Sequence, residues 1–315
     1  MNKLLILGFF IILFSQTHAQ EPNDCVNAIT VCGNDTFASN VQGPGNVQEL
    51  SGCNNGNPVT EQNIFWIKID IVQGGTLGFD LIPNDPALTV DYDFWVYGPN
   101  RLCSNLGSPI RCSTTNPDAA GLANNHTGMN DSTIVTQTGP GANGTGYVYW
   151  LNVVPGESYY IAIDRFVGDD GFQIQWTGSA TTGTGAFPEP PTANAIDDVL
   201  TCSSNPNIGL FDLNSLKNSI NADPGTTIDF YPSLADAIDG TNVLPIFYSN
   251  TSNPQQIYAK VTSGSTECYS LVDFNLVVSA VPTATVVASD TDVCEGDAVT
   301  FTITGTPNAT VHYNV

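Results

Sequence analysis

The sequence has 315 residues, of which 30 are acidic and only 7 are basic, so its formal net charge is −23 at pH 7. A chain this anionic is repelled by phosphate backbones and anionic lipid, which argues against nucleic acid as a partner. Charged residues are only 12% of the chain. The abundance of Gly, Pro, Asn, Ser and Thr is typical of turn-rich, all-β extracellular modules.

Residues 1–19 have the pattern of a secretory signal peptide. Lys3 precedes an apolar run over residues 4–14, and small and polar residues follow up to Ala19, in the order of charge, apolar segment and cleavage site. The run is too short to span a bilayer, and no longer apolar run follows, so no membrane span is expected. We therefore expect export into an oxidising compartment.

Residues 20–178 are predicted to form a β-sandwich. All four tryptophans of the chain lie in this part. Short runs rich in β-branched and aromatic residues are separated by Gly, Pro or Asn turns, as in sandwich strands. The runs cover residues 64–72, 76–82, 92–97, 147–153, 159–164 and 171–177.

The stretch DYDFWVYGP at residues 91–99 contains the leading candidate site residues. Strand alternation places Asp91, Asp93, Trp95 and Tyr97 on one face. The two carboxylates, about 7 Å apart along the strand, can share a Ca²⁺ if loop oxygens complete its six to eight ligands; the alternative is solvated acids at a strand end. Trp95 and Tyr97 are predicted as exposed ligand-contact residues, with burial in the sandwich core as the alternative.

A second acidic group occurs in DRFVGDDG, where Asp164, Asp169 and Asp170 lie between two predicted strands. These residues are a further candidate Ca²⁺ site. The alternative is ordinary hairpin composition, because acidic residues and glycines are common in such turns.

The sequence contains no recognisable catalytic motif. Neither Gly-x-Ser-x-Gly nor His-Glu-x-x-His occurs, and only His126 and His312 remain after signal cleavage. We therefore expect no hydrolytic triad, no zinc protease and no enzyme in these residues.

The eight cysteines are predicted to form disulfides, since no zinc-type cysteine spacing is present. The expected pairs are Cys202–Cys268 and Cys103–Cys112. The pairing of the three N-terminal cysteines is left open; these are Cys25, Cys32 and Cys53.

Three further segments complete the predicted organisation. Residues 179–194 lack a hydrophobic period and end in a proline cluster, which favours a stiff linker. Residues 195–280 are predicted to form an Ig-like domain. Residues 281–315 are predicted to begin a further Ig-like or PKD-like repeat; one strand pair cannot bury a core, so the natural chain is expected to continue past Val315.

Six stretches of the sequence carry a family resemblance: NDCVNAITVCGN, DYDFWVYGP, LGSPIRCSTTNP, PGESYYIAIDRFVGDDGFQIQWTG, TIDFYPSLADAIDGTNVLP and SNPQQIYAKVTSGSTECYS. They resemble the N-terminal region of large repetitive gliding-motility adhesins of the SprB type from Bacteroidota. The first domain is similar to pre-peptidase C-terminal and CUB-like jelly rolls, and the second to an Ig-like repeat of the same proteins.

The resemblance implies an all-β, non-catalytic cell-surface adhesin whose N-terminal jelly-roll-like sandwich is displayed on Ig-like repeats. It implies export by the type IX secretion system, with the gliding machinery, a surface glycan or solid substratum, and a protein docking on the first domain as partners. It also marks Ser132, in the Asp-Ser-Thr triplet at 131–133, as an O-glycosylation candidate. The alternative is a carbohydrate- or calcium-dependent binding module of a larger secreted enzyme.

Overall fold

The computed structural model describes residues 22–33, 37–40, 42–168, 170–307, 310 and 312. The predicted signal peptide and Asp169 lie outside these residues. The chain divides into two units, the first comprising residues up to 190 together with 266–268, and the second comprising 191–265 together with the residues from 269 onward.

The first unit is built from twelve described strands, which confirms the all-β prediction for this part. They are β1 (Ile29–Thr30), β2 (Phe37–Ser39), β3 (Ile64–Asp70), β4 (Gly75–Pro83), β5 (Asp91–Tyr97), β6 (Arg111–Thr115), β7 (Thr127–Asn130), β8 (Gln137–Gly141), β9 (Tyr147–Tyr149), β10 (Leu151–Val153), β11 (Ser158–Val167) and β12 (Phe172–Thr177). Two short 3₁₀ helices accompany them, at Cys25–Asn27 and Ser179–Thr181.

The strands form two sheets that share one core, as a β-sandwich requires. The first sheet has the order β1-β3-β11-β5-β6-β8, and the second has the order β2-β12-β4-β7-β9, with β10 also paired to β4. Alternate side chains from both sheets meet between them. This core includes Phe65, Phe79, Phe94, Ile161 and Phe172, each of which is at most 2% exposed.

The first sheet is buried on its other face as well. A second apolar cluster on that face includes Trp66, Trp95, Tyr97 and Ala162 from the strands, together with Leu50 from the segment before β3. A strand of a two-layer sandwich ordinarily has one solvated face, so this burial shows that non-strand segments cover the sheet. We call residues 42–62, which contribute Leu50, Cys53 and Val59 to this cluster, the covering segment.

The predicted linker belongs partly to the sandwich. Ala180, Ala186 and Phe187 are fully buried in the core of the first unit, and the ring of Phe187 packs against that of Trp176 with centroids 4.7 Å apart. The prediction of a linker from residue 179 is therefore wrong for residues 179–187. The apolar residues there are too widely spaced to show the periodicity of a strand, yet their side chains are buried in the core.

The second unit is also mainly β, with eight strands and two short α-helices among the described residues. The strands are β13 (Val199–Ser203), β14 (Leu210–Asp212), β15 (Thr226–Tyr231), β16 (Phe247–Ser249), β17 (Gln255–Ser263), β18 (Tyr269–Ala280), β19 (Ala284–Ala288) and β20 (Phe301–Gly305). The helices are α1 (Lys217–Ile220), which follows a 3₁₀ turn at Leu213–Leu216, and α2 (Leu234–Asp239).

A four-stranded sheet in the order β13-β18-β17-β15 and the pair β14-β16 surround the core of this unit. Phe211, Phe230, Ile257 and Phe274 are buried there. Strands β19 and β20 form a separate antiparallel pair whose side chains are almost all exposed. That this pair begins a further repeat stays a prediction.

Candidate ligand-binding cavity

A cavity of about 650 Å³ opens in the first unit beside the start of β5. Three predicted calcium ligands, Asp91, Asp93 and Asp164, all contribute to its wall, together with Trp95. Uncharged polar groups come from Asn54, Thr60, Gln62, Thr114 and Asn116, and apolar groups come from Pro58, Val59, Ala119, Pro140 and Phe166.

Strand pairing brings the three carboxylates together. Strand β11 runs antiparallel to β5 with Asp164 directly opposite Asp93, so the two side chains share a face with Asp91. Asp164 was predicted to belong with Asp169 and Asp170, and the structure instead joins it to the β5 pair. The register shifts between Arg165 and Val167, and the extra residue Phe166 reaches the cavity wall.

The covering segment forms the outer wall of the cavity. The disulfide Cys53–Cys112 fixes it to β6, and the Thr114 hydroxyl donates to the Cys53 carbonyl at 2.8 Å. The Asp164 carboxylate accepts from the backbone N–H of Gln62 at 3.0 and 3.2 Å and of Asn63 at 2.7 Å. Asp164 therefore acts mainly as a structural acceptor that holds this wall in place.

Asp91 is only 4% exposed, yet one of its oxygens is unused. Its Oδ2 accepts from Asn116 Nδ2 at 2.9 Å, while its Oδ1 is buried and has no hydrogen-bond partner among the described residues. Burial raises the pKa of Asp91 to about 6, and the Asn116 hydrogen bond opposes that rise. A buried carboxyl oxygen without a donor is costly and calls for a ligand or a proton.

Asp93 has the more perturbed carboxyl group. Its Oδ1 is buried and likewise lacks a partner within the described part of the chain. Burial raises the pKa of Asp93 well above its ordinary value, and the negative charges of Asp91 and Asp164 raise it further. The cavity wall therefore contains two aspartates, each with a buried acceptor oxygen that no donor of the described residues reaches.

The predicted exposure of Trp95 and Tyr97 is wrong. Their side chains are 1% and 0% exposed, and the Tyr97 ring stacks on Trp66 with centroids 5.7 Å apart. Alternation correctly placed both rings on the outer face of β5, but the covering segment buries that face. Trp95 still borders the cavity, and its indole Nε1 has no acceptor among the described residues.

The calcium prediction is not supported by a metal-type cluster. Within the described residues, no group of three or more His, Cys, Asp or Glu side chains is arranged to hold a metal ion. Asp170 is exposed and accepts from the Gly171 N–H through its own side chain at 2.7 Å. Calcium at Asp91 and Asp93 stays a prediction.

The predicted disulfide pairs are both wrong. Cys202 is exposed and unpaired, as is Cys294, among the described residues. Cysteine pairing depends on which strands the covering segment packs against. The short sequence spacing between Cys103 and Cys112 does not reveal that packing. The bonds are Cys25–Cys103, Cys53–Cys112 and Cys32–Cys268, with Cα atoms 5.5, 6.3 and 5.8 Å apart.

Ser132 lies in an exposed loop after β7. Its hydroxyl donates to Asn130 Oδ1 at 2.5 Å. O-glycosylation at this exposed position stays a prediction.

Most residues of the cavity wall were not predicted from the sequence, among them Gln62, Thr114, Asn116 and Phe166. Asn116 had the only local signal, since it lies in the turn TTNP directly after a strand. The others reach the cavity through strand pairing and the covering segment, which the sequence pattern does not reveal.

These features define a disulfide-bonded β-sandwich with a ligand-sized acidic cavity, of the kind found in exported proteins. Among the residues that the structure describes, no helix is long and apolar enough to cross a membrane.

The comparisons with known proteins identify one domain family. Residues 198–282 match the family described as the Flavobacterium inter-domain disulphide bond domain. No curated protein matches the chain.

Two solved structures show weak similarity. One is the Ig1–Ig3 ectodomain of mouse nectin-like molecule 4, at 10% identity over 76% of this chain and 75% of that chain, with a TM-score of 0.17. The other is the adhesin domain of Epf from Streptococcus pyogenes, at 10% identity over 70% of this chain and 73% of that chain, with a TM-score of 0.16. TM-scores this low support no inference.

Proposed function

We propose that this chain is a non-catalytic segment of a cell-surface adhesin from a Bacteroidota bacterium, whose first unit binds a ligand in the acidic cavity. Export by the type IX secretion system and a role in attachment and gliding are part of the proposal. The observation that carries it is the cavity itself: a ligand-sized space bounded by a disulfide-bonded covering segment, with two aspartates in its wall that each keep a buried, unpartnered carboxyl oxygen.

The placement of the carboxylates supports binding rather than catalysis. Asp91 and Asp93 project from one strand and lie side by side, whereas paired acids that hydrolyse glycosides flank the bond from opposite sides. Asp164 is occupied by backbone N–H donors. Asp91, Asp93 and Asp164 therefore do not form a general acid and general base on opposite sides of the cavity.

The matched domain family supports a flavobacterial surface protein. Its name refers to an inter-domain disulphide, and in this chain Cys268, within the matched residues, is bonded to Cys32, outside them. Disulfides of this kind form in exported proteins.

Deletion of the gene tests this proposal. We expect the deletion strain to attach poorly to glass and to spread less on agar, with both restored by complementation. Surface labelling of intact wild-type cells should detect the protein. Unchanged attachment in the deletion strain would overturn the adhesin role, and lost attachment with normal spreading would remove gliding alone.

A second candidate function is a carbohydrate- or calcium-dependent module of a larger secreted enzyme, and the cavity volume of about 650 Å³ supports the carbohydrate form of this alternative. Glycan arrays and calorimetry with and without calcium would distinguish the two. The Asp91→Asn/Asp93→Asn variant is the appropriate probe, because Trp95 is buried and its replacement would damage the fold.

A further inference from the structure

We propose that the cavity of the first unit binds an organic cation, namely a primary ammonium or guanidinium group on an aliphatic stem, as in a lysine or arginine side chain. The inference rests on the proposed function only in treating this cavity as the ligand site. It assigns a chemical class to the ligand and does not depend on gliding.

The buried acceptors at the cavity wall suit a charged N–H donor. Asp91 Oδ1 and Asp93 Oδ1 are buried without hydrogen-bond partners among the described residues, and both residues border the cavity. Ammonium and guanidinium groups present several N–H donors at once. Hydrogen bonds between such cations and carboxylates are the strongest in proteins.

Among the described residues, no Lys, Arg or His forms an ion pair with Asp91 or Asp93. Arg165 follows Asp164 in the sequence, but its guanidinium donates to Asn40 Oδ1 at 2.8 Å and to the Asp170 carbonyl at 2.6 Å. Buried carboxylates without a counter-charge destabilise a fold. A cation that enters the cavity would remove this penalty, so its binding is favoured by charge as well as by hydrogen bonds.

The size and walls of the cavity favour an organic cation over a metal ion. A volume of about 650 Å³ is typical of small-molecule sites, and a single ion would leave most of it unfilled. Ca²⁺ also requires six to eight oxygen ligands, whereas Asp164 is already engaged by backbone donors. The apolar groups of Val59, Trp95 and Pro140 can pack against an aliphatic stem.

Isothermal titration calorimetry with the full chain tests the inference. The probes are Nα-acetyl-lysine methylamide, Nα-acetyl-arginine methylamide, n-butylammonium, CaCl₂ and the uncharged isostere Nα-acetyl-norleucine methylamide. We expect binding of the cationic probes and none of the norleucine derivative. Tighter binding of the peptide-like probes than of n-butylammonium would indicate a protein side chain, and the reverse a free amine.

The Asp91→Asn/Asp93→Asn variant should weaken cation binding by about 10- to 100-fold per carboxylate while its melting temperature stays equal or rises. The control variant is Asp131→Asn, at an exposed position outside the cavity, and it should bind as wild type. Binding of calcium alone, equal binding of the norleucine derivative, or no binding of any cationic probe would overturn the inference. These results would leave the attachment phenotype of the deletion strain, and hence the adhesin proposal, unaffected.

Discussion

Two buried acids on the same face of the first sheet differ in how their carboxylate oxygens are used. Asp164 accepts hydrogen bonds from the backbone N–H groups of Gln62 and Asn63, so its removal leaves these two donors without that acceptor. Asp91 satisfies only the Asn116 side chain and keeps an unused oxygen. A residue whose side chain destabilises the unliganded protein is a candidate for a role in ligand binding, because function can outweigh the loss of stability.

Replacement of Asp91 by Asn should stabilise the protein at neutral pH. The folded pKa of Asp91, about 6, exceeds its ordinary value of 3.8, so the folded state binds the proton more tightly. The carboxyl group's favourable contribution is therefore complete below about pH 4 and is lost as pH rises through 6. We expect Asp91→Asn to gain about 1–3 kcal/mol at pH 7.5 and almost nothing at pH 4 in urea denaturation.

The control for this measurement is Asp131→Asn, which should change the free energy of unfolding little at either pH. A stability loss in Asp91→Asn at pH 7.5 would show that the carboxylate is paired in the folded protein, contrary to the structure.

Replacement of Asp164 by Ala should destabilise the first unit by about 1–2 kcal/mol, because part-buried hydrogen bonds from two backbone N–H donors are lost. Asp164→Asn keeps one acceptor oxygen and should lose less. Thermal unfolding of the two variants beside wild type measures the difference. Equal stability of Asp164→Ala and wild type would mean that Asp164 does not hold the wall at residues 62–63.

At the scale of the strand, the sequence pattern predicts which face a side chain occupies but not what covers that face. Alternation correctly placed Asp91, Asp93, Trp95 and Tyr97 together. The burial of Trp95 depends on the covering segment at residues 42–62, which contains no strand and is fixed to β6 by the Cys53–Cys112 disulfide. The same non-local cover explains why the cavity and the cysteine pairing were not predicted.

Disulfide mapping tests this arrangement of segments. We expect peptides from a non-reducing digest of the exported protein to be linked as Cys25–Cys103, Cys53–Cys112 and Cys32–Cys268. Cys202 and Cys294, which are exposed and unpaired among the described residues, should react with iodoacetamide before reduction. A Cys202–Cys268 peptide would contradict the structure.

At the scale of the whole molecule, charge and cavity favour the same class of ligand. The net charge of −23 attracts cations over several ångströms and repels anionic surfaces. The carboxylates of Asp91 and Asp93 then provide the specific contacts to the cationic ligand. We therefore expect attachment through the first unit to weaken as salt concentration rises, because screening reduces this long-range attraction.

Cell attachment by a strain that carries Asp91→Asn/Asp93→Asn in the chromosomal gene is the most direct test of the central claim that the cavity is the binding site. We expect the variant protein to reach the surface in wild-type amounts and the cells nevertheless to attach as poorly as the deletion strain. A control strain with Asp197→Asn, at an exposed position outside the cavity, should attach normally. Normal attachment by the double variant at normal surface abundance would contradict the claim.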